Sequence, residues 1–177
     1  TPQGILALAK QYHYGLKDLL SQSGAAHFIV LERLQDPGNL GTILRAGEAA
    51  GITGVIMDSQ TADIYNPKVI RSTMGAVFRV PFVYVEDLKA ALLQLKDHGV
   101  HLYAAHLKGQ NSYDQEDYTE STGFLIGNEA QGLSDEIASL ADTYVKIPMA
   151  GSVESLNAAI ASSVLMFEVA RQRRNQK

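Results

Sequence analysis

Three short polar segments of the chain carry residue types that can act on a bound ligand. They are DPGNLG at 36–41, GNEAQG at 127–132 and IPMAGSVESLN at 147–157, called here the first, second and third segments. Asn39 can cap a helix that starts beside it, and Arg45 follows about one turn later, so the two could face one ligand. A plain capped turn with a surface arginine is the alternative explanation of this pattern.

The second and third segments offer further hydrogen-bonding and charged groups. The second is not a Walker-type phosphate loop, because no Lys-Ser/Thr pair follows Gly132. Glu129 could act on a ligand or could only favour the positive end of a helix dipole. In the third segment, Ser152, Ser155 and Asn157 supply more short polar groups than one helix cap needs, which favours a functional role.

Strand-like and helix-like patterns alternate from residue 27 onward and must position these segments. Strands are predicted at 27–34, 54–57, 79–85, 100–107, 123–127 and 144–148, and helices at 41–50, 66–74, 87–97, 134–141 and 155–171. The alternation predicts an α/β fold with a mainly parallel sheet and helices on both faces. Ligands bind such sheets at the carboxyl ends of the strands, which is where the three segments lie.

Some elements carry more specific expectations. Pro81 predicts an edge position or an irregular start for its strand, because proline cannot donate to a strand ladder. The last helix is expected to bury one stripe formed by Leu156, Ile160, Val164 and Phe167. Residues 108–122 are expected to form the longest irregular loop, since they are polar throughout.

The composition excludes several classes of protein and several kinds of site. The chain has 177 residues, of which 46% are hydrophobic and 19% charged, as expected for one ordinary globular domain. Its formal net charge of -4 means that any nucleic-acid site must be a local feature. It contains no cysteine, which excludes disulfides and thiolate metal sites. No apolar run is long enough to span a membrane, and the cytoplasm is the default compartment.

The sequence does not support three other kinds of site, namely a metal site, a hydrolase site and a dinucleotide site. We expect no metal site, because His101 and His106 lie five apart in a predicted strand and point to opposite faces, and no HExxH motif is present. No GxSxG elbow supports a hydrolase. No GxGxxG fingerprint follows a predicted strand, which weakens a dinucleotide-binding interpretation.

The longer stretches around the three segments resemble a known family. DPGNLGTILRAGEAAG at 36–51, FLIGNEAQGL at 124–133 and IPMAGSVESLNAA at 147–159 are similar to the three ordered motifs of the SpoU (TrmH-type) RNA ribose 2'-O-methyltransferases. The similarity extends over 27–171. The family belongs to the SPOUT class, so the resemblance implies a C-terminal deep trefoil knot, S-adenosylmethionine as cofactor and a homodimer. Pattern alone predicts an unknotted sheet, because knots are rare.

The resemblance also implies site residues. The catalytic candidates are Asn39 and Arg45 from the first motif, Glu129 from the second, and Ser155 and Asn157 from the third. The implied cofactor contacts, largely through backbone groups, are Leu125, Gly127, Asn128, Ile147, Met149 and Leu156. Residues 1–24 resemble the linker that follows a small N-terminal RNA-binding domain in many members. We therefore expect 25–177 to be the catalytic domain of a longer protein.

The expected reaction is methyl transfer to a ribose 2'-hydroxyl of rRNA or tRNA. A guanidinium is a poor proton acceptor, so we expect Arg45 to hold an RNA phosphate and to stabilise the developing alkoxide. One alternative is a nucleotide-dependent oxidoreductase on an ordinary doubly wound sheet. Another is a non-catalytic RNA-binding or dimerisation module, against which the intact set of Asn39, Arg45 and Glu129 argues.

Overall fold

The computed structural model describes residues 4, 7–107, 109 and 111–176. Its strands are β1 (His27–Leu31), β2 (Gly54–Asp58), β3 (Phe82–Val85), β4 (His101–Ala105), β5 (Asn111–Ser112), β6 (Thr122–Ile126) and β7 (Thr143–Lys146). Its helices are α1 (Leu16–Leu20), α2 (Pro37–Ala50), α3 (Pro67–Thr73), α4 (Leu88–Asp97), α5 (Asp135–Ala138) and α6 (Ala158–Arg174). Two short 3-10 helices cover Ala76–Phe78 and Tyr113–Gln115.

The strands form one parallel sheet in the order β3-β2-β1-β6-β4-β7-β5. Helices α2, α3 and α6 cover one face, where the core includes Ile43, Val69 and Leu165. Helices α1, α4 and α5 cover the other face, where Leu92 is fully buried. The predicted parallel α/β sheet with helices on both faces is therefore confirmed, and β3 is an edge strand as Pro81 indicates.

Side-chain caps define where the helices begin. Asp87 accepts a hydrogen bond from the Ala90 backbone at 2.9 Å to start α4, and Ser134 caps α5 by accepting from the Ile137 backbone. Helix α2 starts four residues before the expected position, because Asp36 is the cap and Pro37 occupies the first turn, where proline is favoured. Asn39 is thus not the cap, and its side-chain amide is available for other contacts.

The expected buried stripe of the last helix is wrong. Ile160 is 50% exposed and Phe167 is 49% exposed, whereas the buried face of α6 contains Leu165, Met166 and Val169. The helix is apolar on more than one side, so its own periodicity does not select a face. Packing against α2 selects the face, since α2 and α6 are in contact and both contribute to the core on this side of the sheet.

Two regions are more closely packed than their sequences suggest. Residues 108–122 include β5 and a 3-10 turn, and Tyr118 is fully buried; Lys108 and Gln110 lie outside the described residues. In the predicted appendage at 1–24, residues 1–3 and 5–6 lie outside the described part. Leu19 of α1 is nevertheless 1% exposed, so this helix packs into the same core as the sheet. No described helix is long and apolar enough to cross a membrane.

Candidate functional site

The carboxyl ends of β1, β6 and β7 bring the three polar segments to one edge of the sheet. Strands β1 and β6 are neighbours, with Leu31 opposite Ile126, so the first and second segments emerge side by side. The third segment follows β7 and leads into α6, which packs against α2. The sheet order therefore places the first segment beside two segments that lie about ninety or more residues later in the chain.

Glu129 is the acceptor at the centre of this edge. Its Oε1 accepts hydrogen bonds from Asn39 Nδ2 and from the Asp36 backbone, both at 3.0 Å. Its Oε2 accepts one from the Gln35 backbone at 3.2 Å. A single carboxylate in the second segment thus holds the turn that starts α2, with both of its oxygens in use.

These contacts set the ionisation of Glu129. Partial burial alone would raise its pKa, but the hydrogen bonds from the Asn39 amide and from the Asp36 and Gln35 backbones lower the pKa below its usual value. Glu129 is therefore ionised at neutral pH and is a weak proton acceptor. This geometry suits a residue that fixes a loop better than it suits a general base.

Asn157 connects the third segment to the first. Its Oδ1 accepts from the backbone of Ala159 at 2.9 Å and so caps α6. Its Nδ2 donates to Asn39 Oδ1 at 2.9 Å, while Asn39 in turn donates to Glu129. The chain of contacts from Asn157 through Asn39 to Glu129 is called here the amide relay, and it joins all three segments.

A cleft of about 320 Å³ opens between the second and third segments. Its walls come from residues 105–107, 126–133 and parts of 145–161. Five of the six expected cofactor contacts line it, namely Gly127, Asn128, Ile147, Met149 and Leu156, together with the catalytic candidates Glu129 and Ser155. The sixth, Leu125, does not line the cleft; its side chain is fully buried in the core on the α4 face of the sheet.

Two glycines shape the wall of this cleft. A Cβ on Gly127 would lie 2.1 Å from backbone atoms of Gly132 and Leu133, so no other residue fits there without displacing the backbone. Gly132 has a φ of +71°, which glycine adopts without strain. Reciprocal backbone hydrogen bonds between Asn128 and Gly132, at 2.8 and 3.1 Å, then close the second segment into a tight loop.

Arg45 lies apart from the amide relay. Its side chain is exposed and forms no hydrogen bond or ion pair with the residues that the structure describes. It is six residues after Asn39 on α2, which places the two side chains about 120° apart around the helix axis. Within this chain Arg45 instead shares the outward side of α2 with Thr42 and Ala49, which are also exposed.

Sequence reasoning missed several groups at this edge. Glu32 is 7% exposed, and its Oε2 accepts from the Ser134 backbone at 2.7 Å, yet nothing in its local pattern marks it. Lys146 and Glu154 bring charge to the cleft wall. Within the described ranges, no three His, Cys, Asp or Glu side chains are placed to hold a metal ion.

The chain is similar to known proteins over most of its length. Residues 26–167 match the model of the SpoU rRNA Methylase family. A putative TrmH family tRNA/rRNA methyltransferase of Staphylococcus aureus (strain MSSA476) is 35% identical over 176 residues, covering 97% of this chain and 71% of the relative.

Solved structures are also similar. The SpoU methyltransferase AviRb from Streptomyces viridochromogenes, in complex with the cofactor AdoMet, matches with a TM-score of 0.83 and 34% identity, covering 89% of this chain and 61% of AviRb. A structure described as an RNA 2'-O ribose methyltransferase matches with a TM-score of 0.78 and 29% identity, covering 98% and 62% of the two chains. This chain therefore spans less than two thirds of the length of these solved proteins.

Proposed function

Because the chain belongs to the SpoU rRNA methylase family, we propose that it transfers a methyl group from S-adenosylmethionine to a ribose 2'-hydroxyl of rRNA or tRNA. The observation that carries the proposal is the amide relay, whose Glu129 also lines the cleft. A family relative is described as an RNA 2'-O ribose methyltransferase, which supports the 2'-hydroxyl as the acceptor. The cytoplasm is the proposed compartment, since the RNAs concerned are found there.

The cleft is the proposed cofactor site. Its volume of about 320 Å³ lies at the lower end of the range for small-molecule sites. Apolar walls from Ile147, Met149 and Leu156 suit an adenosine, and the tight backbone loop at Gly127 lets main-chain groups approach it. AviRb binds AdoMet in its crystals, which supports the same cofactor here. Leu125 could contribute only through its backbone.

When bound, S-adenosylmethionine supplies an electrophilic methyl group on a sulfonium. Transfer to a hydroxyl forms a carbon–oxygen bond as the sulfur–carbon bond breaks, and the hydroxyl must lose its proton. Glu129 is a poor acceptor for the hydroxyl proton, because its two oxygens already accept hydrogen bonds from three donors. Its role in the proposal is to fix Asn39, which with Asn157 and Ser155 orients the ribose beside the cleft.

Arg45 has a different role in the proposal. Its guanidinium has no partner among the described residues and faces outward, so it is available to an RNA phosphate. A cation there would stabilise the negative charge that develops on the ribose oxygen. The proton would leave to the phosphate or to water, because an arginine does not accept it.

A homodimer is also part of the proposal. Ile160 and Phe167 lie seven residues apart on one side of α6 and are each about half exposed. Large apolar side chains exposed at this spacing suit a helix that packs against a partner. The trefoil knot and the division of the chain at residues 24 and 25 likewise remain proposals.

The test is a methyl-transfer assay with isotope-labelled S-adenosylmethionine and separate pools of bacterial rRNA and tRNA. Digestion to nucleosides and mass spectrometry then locate the label. The labelled methyl group is expected on a ribose oxygen in one of the two pools. Label on a base would contradict the 2'-hydroxyl assignment while preserving the methyltransferase activity, and the pool that carries the label identifies the class of RNA.

A further inference from the structure

Arg33 has an unusual backbone conformation close to the candidate site. Its φ is +54°, and among the described residues the only other positive φ outside glycine is that of Met74, at +50°. Met74 caps the carboxyl end of α3, where a left-handed residue is ordinary. Arg33 ends no helix; it lies two residues after β1. An arginine held there is strained in a way that a glycine would avoid.

The backbone of Arg33 is fixed on both sides. Its N–H donates to both carboxylate oxygens of Asp58 at 3.1 Å, and its carbonyl accepts from Asn128 Nδ2 at 2.9 Å. These contacts use main-chain atoms, so a glycine at position 33 would keep them and would also relieve the strain. Only the side chain of Arg33 is particular to arginine.

That side chain lies against the loop that forms one wall of the cleft. Its Nη1 donates to Gln131 Oε1 at 3.5 Å, and its Nη2 lies 3.6 Å from Glu32 Oε1. The other oxygen of Glu32 holds the Ser134 backbone at 2.7 Å. The guanidinium and Glu32 together therefore contact the second segment at Gln131 and the residue that caps α5.

We propose that Arg33 is a positioning residue for the cofactor cleft, which rests on the function proposed above. Gln131, Gly132 and Leu133 line the cleft, and they lie between the two contacts just described. The Arg33 side chain holds this stretch against the end of β1, and its Nε is buried without a partner among the described residues. The strained conformation persists because it directs the side chain toward Gln131 as it directs the carbonyl toward Asn128.

The experiment compares Arg33→Gly with Met74→Gly, a matched change at the other left-handed position. Met74 is 68% exposed and lies outside the cleft. Both variants are expected to unfold at a temperature no lower than that of the unaltered chain, because both relieve strain. Hydrogen exchange reports on the amides of Ala130, Gln131 and Gly132, which Asn128 otherwise protects. Calorimetric titration with S-adenosylmethionine reports on the cleft.

Arg33→Gly alone should speed exchange at these amides and weaken cofactor binding, each by roughly threefold or more. Exchange and affinity equal to those of Met74→Gly would overturn the inference. So would a fall in the unfolding temperature of Arg33→Gly, since the side chain would then stabilise the domain as a whole. If the unaltered chain binds no S-adenosylmethionine, the proposed function fails, while the exchange comparison still decides the role of Arg33.

Discussion

Replacing Glu129 by glutamine should destabilise the fold by removing the acceptor that joins the first and second segments. The carboxylate accepts three hydrogen bonds, from the Asn39 amide and from the backbones of Asp36 and Gln35. A glutamine offers one accepting oxygen and one donating nitrogen. At least one of the three donors would then face another donor.

The expected loss is about 1–2 kcal/mol. Hydrogen bonds to a charged group contribute roughly 1.5–3 kcal/mol each, but Glu129 is exposed to solvent, which reduces the value of its charge. For a chain of this length, that loss lowers the midpoint of thermal unfolding by about 2–8 °C. Circular dichroism melting curves at pH 7 measure it. Glu86→Gln is the control, because Glu86 is exposed and forms no hydrogen bond or ion pair with the described residues.

The pH dependence gives a second measure of the same contact. The hydrogen bonds hold the pKa of Glu129 below its ordinary value of 4.5 in spite of partial burial. The folded state is therefore stabilised at pH values above 4.5, and this contribution is lost as the pH falls through the lowered pKa. The difference between Glu129→Gln and the unaltered chain should be full at pH 7 and should shrink in acid. A variant that melts like the Glu86→Gln control at pH 7 would refute the role given to Glu129.

Four further substitutions test other parts of the account. Leu156→Asp should weaken S-adenosylmethionine binding by about 10-fold or more, since burial of a leucine contributes roughly 1.5–3 kcal/mol, and calorimetric titration checks it. Arg45→Ala should reduce turnover about 100-fold or more in the labelling assay, with cofactor affinity within about twofold of the original. If the proposed homodimer forms, Phe167→Glu should convert it to a monomer in sedimentation experiments, because a carboxylate would be buried at the interface. Burial and the nearby Arg173 lower the pKa of His27 to about 3, so the free energy of unfolding falls as the pH drops below 6.5, by up to about 1.4 kcal/mol per pH unit. His27→Leu should remove this loss, which urea titrations between pH 6.5 and 4.5 measure.

Local sequence signals were sufficient for most elements of the fold. Apolar runs locate β1, β2 and β6 to within a few residues, and the predicted starts of the helices at 87 and 134 lie one residue before those of α4 and α5. Pro81 correctly indicated an edge strand. These features depend on interactions between residues close in the chain, which is why they can be predicted from the sequence.

Packing between elements that are distant in the chain could not be predicted from local sequence patterns. The buried face of α6 is chosen by its contact with α2, so the stripe that includes Ile160 and Phe167 was assigned to the wrong side. Leu19 looked like part of an appendage, but it is buried against the sheet. The helix that carries it is only five residues long, and its burial depends on residues that follow much later.

In the candidate site, too, the residue types can be predicted from the sequence, whereas their contacts cannot. Residue types and the family resemblance make Asn39, Glu129 and Asn157 candidates, but no spacing in the sequence indicates that their side chains touch. Their contact depends on β1 and β6 being neighbours and on α6 packing beside α2. The left-handed conformation of Arg33 was equally inaccessible, because arginine carries no preference for it.

The most direct test of the central claim is calorimetric titration of this chain with S-adenosylmethionine, with S-adenosylhomocysteine measured separately. The titration contains no RNA, so its result does not depend on RNA recognition. Saturable binding of roughly one molecule per chain is expected, since the cleft of about 320 Å³ has the size of one small-molecule site. A folded chain that binds neither compound would contradict the assignment of the cleft and, with it, the proposed methyl transfer.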